Sequence, residues 1–255
     1  MMDFLATKQL LRKLGSGYRT LLGRDPSSVR EFLAYHYLRG TGLEVGALDK
    51  PMKIPKGVKV KYVDRMDHDE LLRQYPELSG KKLVDIDIVT DGETLREVAN
   101  ESQDFLIASH FLEHCEDPIA TLKNFLRVCK PAGILFIALP DKRYTFDRDR
   151  PETTYEHLLR DHRMGAAESR RDHFREWVRY VDRKSELEVE SESSRLQAMS
   201  YSIHFHVFTG PSMTKILERL REEEGMEFEM EAYLQNGDEF VSILRKRSLN
   251  SPQVL

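Results

Sequence analysis

The chain has 255 residues, of which 40% are hydrophobic and 32% are charged, a composition typical of a folded globular protein. Its 39 basic and 43 acidic residues give a formal net charge of −4, which provides no overall attraction to nucleic acid or to an anionic membrane. The two cysteines have no CxxC spacing, so we expect no disulfide framework. There is neither a signal-peptide pattern nor an apolar run of about 18 residues, and we therefore expect a cytoplasmic protein without membrane insertion.

Residues 1–39 predict an N-terminal helical extension made of two pieces. In the second piece Val29, Phe32, Leu33 and Tyr37 recur at helical spacing.

From residue 40 onward, short apolar strands alternate with helices. The predicted strands are 43–46, 58–64, 84–89, 105–109 and 134–140, with helices at 67–75 and 118–129. The segment 130–133 is interpreted as a helix end and turn. This alternation predicts a parallel sheet with right-handed crossovers, and residues 40–140 are interpreted as its core.

Residues 141–203 interrupt the pattern and predict a helical lid inserted above the sheet. Within it, 153–159 and 166–181 predict helices, and the acidic, serine-rich segment 186–194 predicts a solvated loop. Residues 204–255 resume the core with a helix at 211–224 and strands at 227–234 and 240–245. The fold class is therefore α/β, with a Rossmann-like, mainly parallel seven-stranded sheet and helices on both faces.

Two positions at strand ends could approach a ligand. Gly46 ends the first strand, where the absence of a side chain permits close backbone approach, although an ordinary turn fits the pattern equally well. Asp64 ends the second strand and could accept hydrogen bonds from two ribose hydroxyls. Its alternative role is a surface carboxylate that caps the following turn.

A series of short motifs follows in a fixed order. It runs Asp91-Gly92-Glu93-Thr94-Leu95, His110-Phe111-Leu112-Glu113-His114, Asp117-Pro118 and Leu126-Arg127-Val128-Cys129-Lys130-Pro131-Ala132-Gly133. This series closely resembles the class I S-adenosylmethionine-dependent methyltransferase domain of the type 11 kind. His206-Val207-Phe208-Thr209 and the two closing strands extend the resemblance to residue 245. The segment 140–147 is similar to a bacterial subgroup that often accompanies glycosyltransferases, which makes a glycan a reasonable acceptor.

The resemblance implies S-adenosylmethionine as cofactor and assigns roles to positions of this chain. Glu44 and Gly46 would flank the methionine part, Asp64 would bind the ribose, and Asp91 with Gly92 would contact the adenine. The positions so implied are Glu44, Gly46, Ala47, Asp64, Arg65, Asp91, Gly92, Ser109 and His110. Ala47 and Ala132 depart from the family pattern, which usually has glycine at both places.

A hydroxyl acceptor usually needs a general base near the transferred methyl group. His110, Asp141 and His206 are the candidates, because each is expected at the carboxyl edge of the sheet. A histidine at such a junction is nevertheless more often a structural hydrogen-bonding group.

Arg143, Tyr144 and His204 are candidate acceptor-binding residues. Ion pairing in a solvated turn is an equally good interpretation for the arginine. His204 and His206 could also form half of a metal site, completed by Asp141, His157 or His162, but spacing fixes no third ligand and we predict no metal.

The sequence thus favours a methyltransferase acting on a small molecule or glycan. A nucleic-acid methyltransferase is disfavoured, because the chain has no basic stripe. A non-catalytic cofactor-binding scaffold and a homodimer are both left open.

Overall fold

The computed structural model describes residues 29–248, and every structural statement below refers to them. The strands are β1 Thr41–Val45, β2 Lys59–Asp64, β3 Ile88–Val89, β4 Gln103–Ser109, β5 Cys129–Pro140, β6 Phe228–Asn236 and β7 Glu239–Lys246. The α-helices are α1 Val29–Tyr37, α2 His68–Gln74, α3 Pro118–Val128, α4 Tyr155–Met164, α5 Ala167–Tyr180, α6 Glu186–Ala198 and α7 Gly210–Glu223. The first predicted helical piece of the extension lies outside the described residues.

The seven strands form one sheet in the order β3-β2-β1-β4-β5-β7-β6. The pairs among β1 to β5 are parallel, whereas β7 runs antiparallel to both β5 and β6. The predicted Rossmann-like, mainly parallel seven-stranded sheet is confirmed. The carboxyl ends of β1, β2, β3 and β4 consequently meet at one edge, where ligands of such sheets bind.

Helices cover both faces of this sheet because its central strands are apolar on both sides. In β4, Phe105 and Ile107 pack in a cluster with α1, while Leu106 and Ala108 pack in the opposite cluster. That opposite cluster contains apolar residues of α3, α4 and α7. The alternation follows from the two-residue period of a strand.

The lid, residues 141–203, carries α4, α5 and α6. The last two helices enclose a separate hydrophobic cluster that includes Phe174, Trp177, Val189 and Leu196. The buried aromatic side chains of α5, Phe174 and Trp177, therefore pack inside the lid and belong to neither of the two hydrophobic clusters on the faces of the sheet.

The predicted loop at 186–194 is wrong, because this segment belongs to α6. Ser185 and Glu188 form a capping box at the start of the helix, and Arg195 pairs with Glu192 one turn away. Val189 and Leu196 are its buried apolar residues, too few to give a visible helical period.

Two further boundaries differ from the prediction. Only Ile88–Val89 of the segment 84–89 pairs as a strand, while Val84 donates its N–H to Leu48 in a loop. The segment 130–133 lies within β5 as an irregularity in the pairing with β4, and Ala132 takes a φ of 64° there. No helix among the described residues has the length and apolar character needed to cross a membrane.

Candidate cofactor and acceptor cavity

A cavity of about 440 Å³ lies between the carboxyl edge of the parallel strands and the lid. This volume is within the range of small-molecule sites. The sheet side is lined by Val45, Gly46, Leu48, Asp64, Arg65, Tyr75, Asp91, Gly92, Glu93, His110, Phe111, His114, Cys115 and Glu116. The lid side is lined by Arg170, Phe174, Gln197, Ser200, Tyr201 and Ser202, followed by Phe205.

Gly46 and Asp64 take the predicted places at the ends of β1 and β2. Gly46 has a φ of 67°, a conformation that favours glycine, and it donates its N–H to the Val63 carbonyl at 3.0 Å. Asp64 is 9% exposed, and burial raises the pKa of its carboxyl above the usual value. Backbone N–H groups of Arg65 and Met66 occupy at most two of the roughly four acceptor positions of a carboxylate. The remaining acceptor positions of the Asp64 carboxylate are free for a ligand.

Asp91, Gly92 and Glu93 form the wall beside Asp64. The Asp91 carboxylate accepts the backbone N–H groups of Glu93 and Thr94, at 2.7 and 3.1 Å, and so shapes the turn. Burial raises the pKa of Glu93 to about 7, with a further contribution from the neighbouring carboxylates of Asp91 and Glu116. The wall is therefore rich in carboxyl groups and suits a ligand that carries positive charge.

We expect Gly92→Ala to weaken cofactor binding by about 10-fold, since overpacking typically costs about 1–3 kcal/mol. A Cβ atom there would lie 2.6 Å from Val45 Cγ1 and 2.7 Å from Phe111 Cζ, so the Phe111 ring would have to move. Calorimetric titration with S-adenosylmethionine measures the effect. Gly57→Ala is the control, because a Cβ atom there meets open space and only local backbone strain is added. Unchanged affinity in Gly92→Ala would contradict the prediction.

His110 follows β4 and lines the cavity beside a buried glutamate. Its Nε2 lies 2.8 Å from a carboxylate oxygen of Glu239, the first residue of β7. His110 has a φ of 51°, a strained conformation for a non-glycine residue that commonly marks functional positions. The backbone N–H of His110 donates a hydrogen bond to the Ala138 carbonyl oxygen at 2.9 Å, which holds this part of the backbone in place. The histidine is thus oriented, while its side chain remains 41% exposed toward a ligand.

Glu239 also pairs with Arg30 of α1. Burial raises the pKa of Glu239, but the hydrogen bonds from Arg30 and His110 outweigh it and lower the pKa to about 2. Because the folded pKa lies below the unfolded value, this carboxylate stabilises the fold above about pH 4.5, and the contribution disappears as pH falls toward 2.

We expect Glu239→Gln to lower the free energy of unfolding at pH 7 by up to about 3 kcal/mol. The same variant should flatten the loss of stability between pH 4.5 and 2, since it has no carboxylate to protonate. Urea denaturation across this pH range measures both effects. A variant that keeps the wild-type slope would show that Glu239 does not carry the acid sensitivity.

Glu113, His114 and His204 form a second polar group directly below the cavity, and His114 is the one of the three that lines it. One ligand atom from each lies within 4.8 Å of the others. Both carboxylate oxygens of Glu113 are buried and have no hydrogen-bond partner among the described residues, and burial raises its pKa. His114 Nδ1 lies 2.8 Å from the Ile203 carbonyl, and His204 Nδ1 lies 2.6 Å from Asp147. Each histidine thereby keeps Nε2 for another partner, and the group could hold a divalent cation.

Three positions that the resemblance assigned to the cofactor do not line the cavity. The Glu44 carboxylate accepts the Met52 N–H, with distances of 2.9 and 3.1 Å to its two oxygens, and burial raises its pKa to about 7. Ala47 is buried below the turn, and the Ser109 hydroxyl is buried without a partner in the described part of the chain. Their side chains support the edge of the sheet, so direct contact with the cofactor stays a prediction.

The predicted base Asp141 does not reach the cavity. It is fully buried, and its carboxylate accepts hydrogen bonds from Arg143 Nε and Nη2 at 2.9 and 2.6 Å. Burial raises the pKa of Asp141, but the Arg143 pair outweighs it and holds the pKa below its usual value, which makes this carboxylate a weak base. Arg143 is consequently engaged, and Tyr144 is 58% exposed away from the cavity lining. The predicted acceptor contacts of these two residues disagree with their placement.

His204 and His206 do not lie together as the shared half of one metal site. Residues 203–208 form no strand, and the two rings lie in different groups. His206 is fully buried beside His157 and His173, and burial lowers its pKa well below the usual value, so it is no base for the cavity. His204 contacts His114, whose ring lines the cavity, but does not itself line it.

Several cavity residues were missed by the sequence analysis. Glu239 is 129 residues from His110 in the chain and reaches it only because β7 pairs with β5. Arg170, Gln197 and Tyr201 come from the lid, where no sequence signal marks a binding role. Glu113 and His114 belong to the motif His110-Phe111-Leu112-Glu113-His114, and their closeness to His110 in the chain could have identified them as residues in or near the cavity.

The chain is similar to known methyltransferases. A family profile described as a methyltransferase domain matches residues 9–220. Among solved structures, a S-adenosylmethionine-dependent methyltransferase of Aquifex aeolicus is 13% identical, with 93% of this chain and 97% of that chain covered and a TM-score of 0.45. One from Methanosarcina mazei is 18% identical, with 83% and 95% covered and a TM-score of 0.46. No curated protein matches the chain.

The family assignment rests on the profile, which spans most of the chain, and not on these distant structures. The type 11-like bacterial subgroup stays a prediction. With the profile match and the 3-2-1-4-5-7-6 sheet both in place, the chain belongs to the methyltransferase-domain family and is the class I S-adenosylmethionine-dependent methyltransferase that its motifs predict.

Proposed function

We propose that this protein transfers the methyl group of S-adenosylmethionine to a hydroxyl of a small molecule or glycan. The main observation in support of a cofactor site is the buried carboxylate of Asp64, which lies at the end of β2 and lines the cavity. This carboxylate can accept more hydrogen bonds than it receives from the backbone. Two ribose hydroxyls match that capacity. Gly46 on one side and Gly92 on the other leave room for the backbone to approach the cofactor.

The carboxyl-rich wall supports the same assignment. S-Adenosylmethionine carries a sulfonium cation, and Asp64, Asp91 and Glu93 lie along one side of the cavity. Methyl transfer is an in-line displacement, so the chain's main contribution is to hold donor and acceptor in the reacting geometry.

His110 is the residue we assign as general base. It lines the cavity, and its Nε2 lies 2.8 Å from a carboxylate oxygen of Glu239. Its Nδ1, which lies 3.8 Å from a carboxylate oxygen of Glu113, would accept the proton of an acceptor hydroxyl. The carboxylate of Glu239 also stabilises the imidazolium that forms. Of the three bases expected from the sequence, His110 is the one that lines the cavity, and this supports the assignment.

The lid side of the cavity supports a polar acceptor. Gln197, Ser200 and Ser202 offer amide and hydroxyl groups there, and Tyr201 adds an aromatic ring that is 46% exposed. Such a surface hydrogen-bonds hydroxyl groups and can stack on a sugar ring. Arg170 is held by Glu116, at 2.7 and 2.9 Å, so its charge is balanced rather than offered to a phosphate backbone.

The Glu113 group supports a metal-assisted form of this transfer. A divalent cation held by Glu113, His114 and His204 directly below the cavity would lower the pKa of an acceptor hydroxyl bound to it. Measuring turnover after dialysis against a chelator, and again after adding Mg²⁺ or Mn²⁺, separates this form from catalysis by His110 alone.

The test of the proposed function has two stages. Calorimetry with the intact protein should show micromolar binding of S-adenosylmethionine, and no binding would remove the proposal. A panel of sugars, phenols and small alcohols, with RNA and DNA oligonucleotides beside them, is then assayed for methyl transfer. Turnover on a nucleic acid would overturn the acceptor class, and cofactor binding without turnover on any acceptor would favour a non-catalytic scaffold.

A further inference from the structure

A cluster of three histidines and one aspartate lies outside the cavity, at the junction of the lid and the core. His157 and Asp161 are on α4, His173 is on α5, and His206 belongs to the segment that leads into α7. One nitrogen of each histidine lies within 4.8 Å of one nitrogen of the other two. Asp161, His173 and His206 are buried, whereas the His157 side chain is 26% exposed, so an ion has a path to the cluster.

The separations are those of metal ligands. His157 Nε2 lies 3.1 Å from His173 Nε2 and 2.9 Å from a carboxylate oxygen of Asp161. The same Asp161 oxygen lies 3.9 Å from His173 Nε2. In a tetrahedral zinc site with bonds of about 2.0–2.1 Å, neighbouring ligand atoms lie roughly 3.3–3.4 Å apart. The three observed separations fall on both sides of that value, and a ligand nitrogen of His206 lies within 4.8 Å of those of His157 and His173.

His206 provides the second, independent observation. Its Nε2 lies 3.3 Å from the backbone carbonyl oxygen of Glu116, which fixes the proton on that nitrogen. Its Nδ1 is then a bare lone pair, and it is buried with no hydrogen-bond partner in the described residues 29–248. A ring that donates one N–H to a backbone carbonyl and leaves the other nitrogen unpaired has the arrangement of a metal-ligating histidine.

Neighbouring groups orient the remaining ligands. The Ser169 hydroxyl donates to Asp161 at 2.9 Å, and Arg160 Nη2 lies 3.0 Å from His157 Nδ1. The Arg160 side chain is 54% exposed and can turn into solvent when His157 binds an ion through Nε2. Three imidazoles with one carboxylate is a donor set that suits Zn²⁺.

We propose that His157, His173, His206 and Asp161 bind one transition-metal ion, with Zn²⁺ as the best fit, and that this ion joins the lid to the core. The ligands come from two lid helices and from the segment after the lid, so a bound ion would close a loop of the chain and stabilise the lid over the cavity. The site is distinct from the Glu113 group directly below the cavity, which shares no residue with it.

The experiment uses the full chain, stripped with a chelator and then titrated with Co²⁺ and with Zn²⁺. We expect the visible absorption of a tetrahedral Co²⁺ complex, displaced by Zn²⁺, and a rise in Tm of about 5–10 °C at a hundredfold excess of Zn²⁺ over its Kd. His157→Ala should lose both signals, and its partial exposure makes it the variant least apt to unfold. Asp161→Asn, which keeps the shape of the side chain, is the second variant and should reduce both.

Two controls identify the site. His162→Ala removes a histidine of the same helix that pairs with Asp117 instead, and it should keep the Co²⁺ spectrum. Glu113→Gln, which removes the carboxylate of the other group, should keep it as well. No tetrahedral spectrum in the wild type would overturn the proposal. So would a tetrahedral spectrum that is as strong in His157→Ala as in the wild type, or one that disappears in Glu113→Gln, and neither outcome depends on methyltransferase activity.

Discussion

Replacing Asp64 with alanine is expected to weaken S-adenosylmethionine binding by at least about 100-fold. Two hydrogen bonds from ribose hydroxyls to a carboxylate would be lost, and bonds to charged groups contribute about 1.5–3 kcal/mol each. Asp64 suits this role because burial removes its carboxyl from water and raises its pKa. The charged carboxylate is therefore poorly stabilised in the free protein, and hydrogen bonds from a ligand would stabilise it. Calorimetric titration of wild type and variant measures the loss directly.

The stability of the free variant separates a binding defect from unfolding. Since a partly desolvated carboxylate is removed, the Tm of Asp64→Ala without cofactor should equal or exceed that of the wild type. Asp69→Ala is the matched control, because that carboxylate is 82% exposed on α2 beyond the cavity. Wild-type affinity in Asp64→Ala would show that the ribose binds elsewhere.

His110→Ala is expected to lower kcat by about 100- to 10,000-fold on a hydroxyl acceptor, the range that general-base catalysis contributes. Binding of S-adenosylmethionine should change far less, since the carboxylate of Asp64 remains. Exposed His68 provides the control substitution His68→Ala.

Glu239→Gln tests whether the glutamate acts through His110. A positioning role predicts that kcat falls while the KM for the acceptor changes little, because the imidazole loses the carboxylate that orients it. If kcat falls equally in His110→Ala and in the double variant, the two residues act as one unit. An unchanged kcat in Glu239→Gln would limit this residue to a structural role.

The parts of the site that could be predicted from the sequence are those at the ends of parallel strands. Gly46 and His110 directly follow β1 and β4, Asp64 is the last residue of β2, and Asp91 comes two residues after β3. The ends of these parallel strands meet at one edge of the sheet. The apolar periodicity that predicts the strands therefore also predicts which of these residues come together.

The remaining residues depend on contacts between distant parts of the chain. Glu239 reaches His110 through an antiparallel pairing of β7 that no local pattern reveals. Asp141 also follows a strand directly, but its carboxylate is buried in an ion pair with Arg143, two residues further along the chain. The lid was predicted as an insertion, but α6 was missed because capping and ion pairs rather than an apolar stripe stabilise it.

The lid has a hydrophobic cluster of its own, separate from the two that support the sheet. Substitutions among residues such as Trp177, Val189 and Leu196 would change the shape of the acceptor side without disturbing the contacts that position Asp64. Under the proposed function, changes within this cluster would alter the acceptor and leave the proposed cofactor site unchanged. The boundary between the clusters marks where a lid from one relative could be exchanged for that of another.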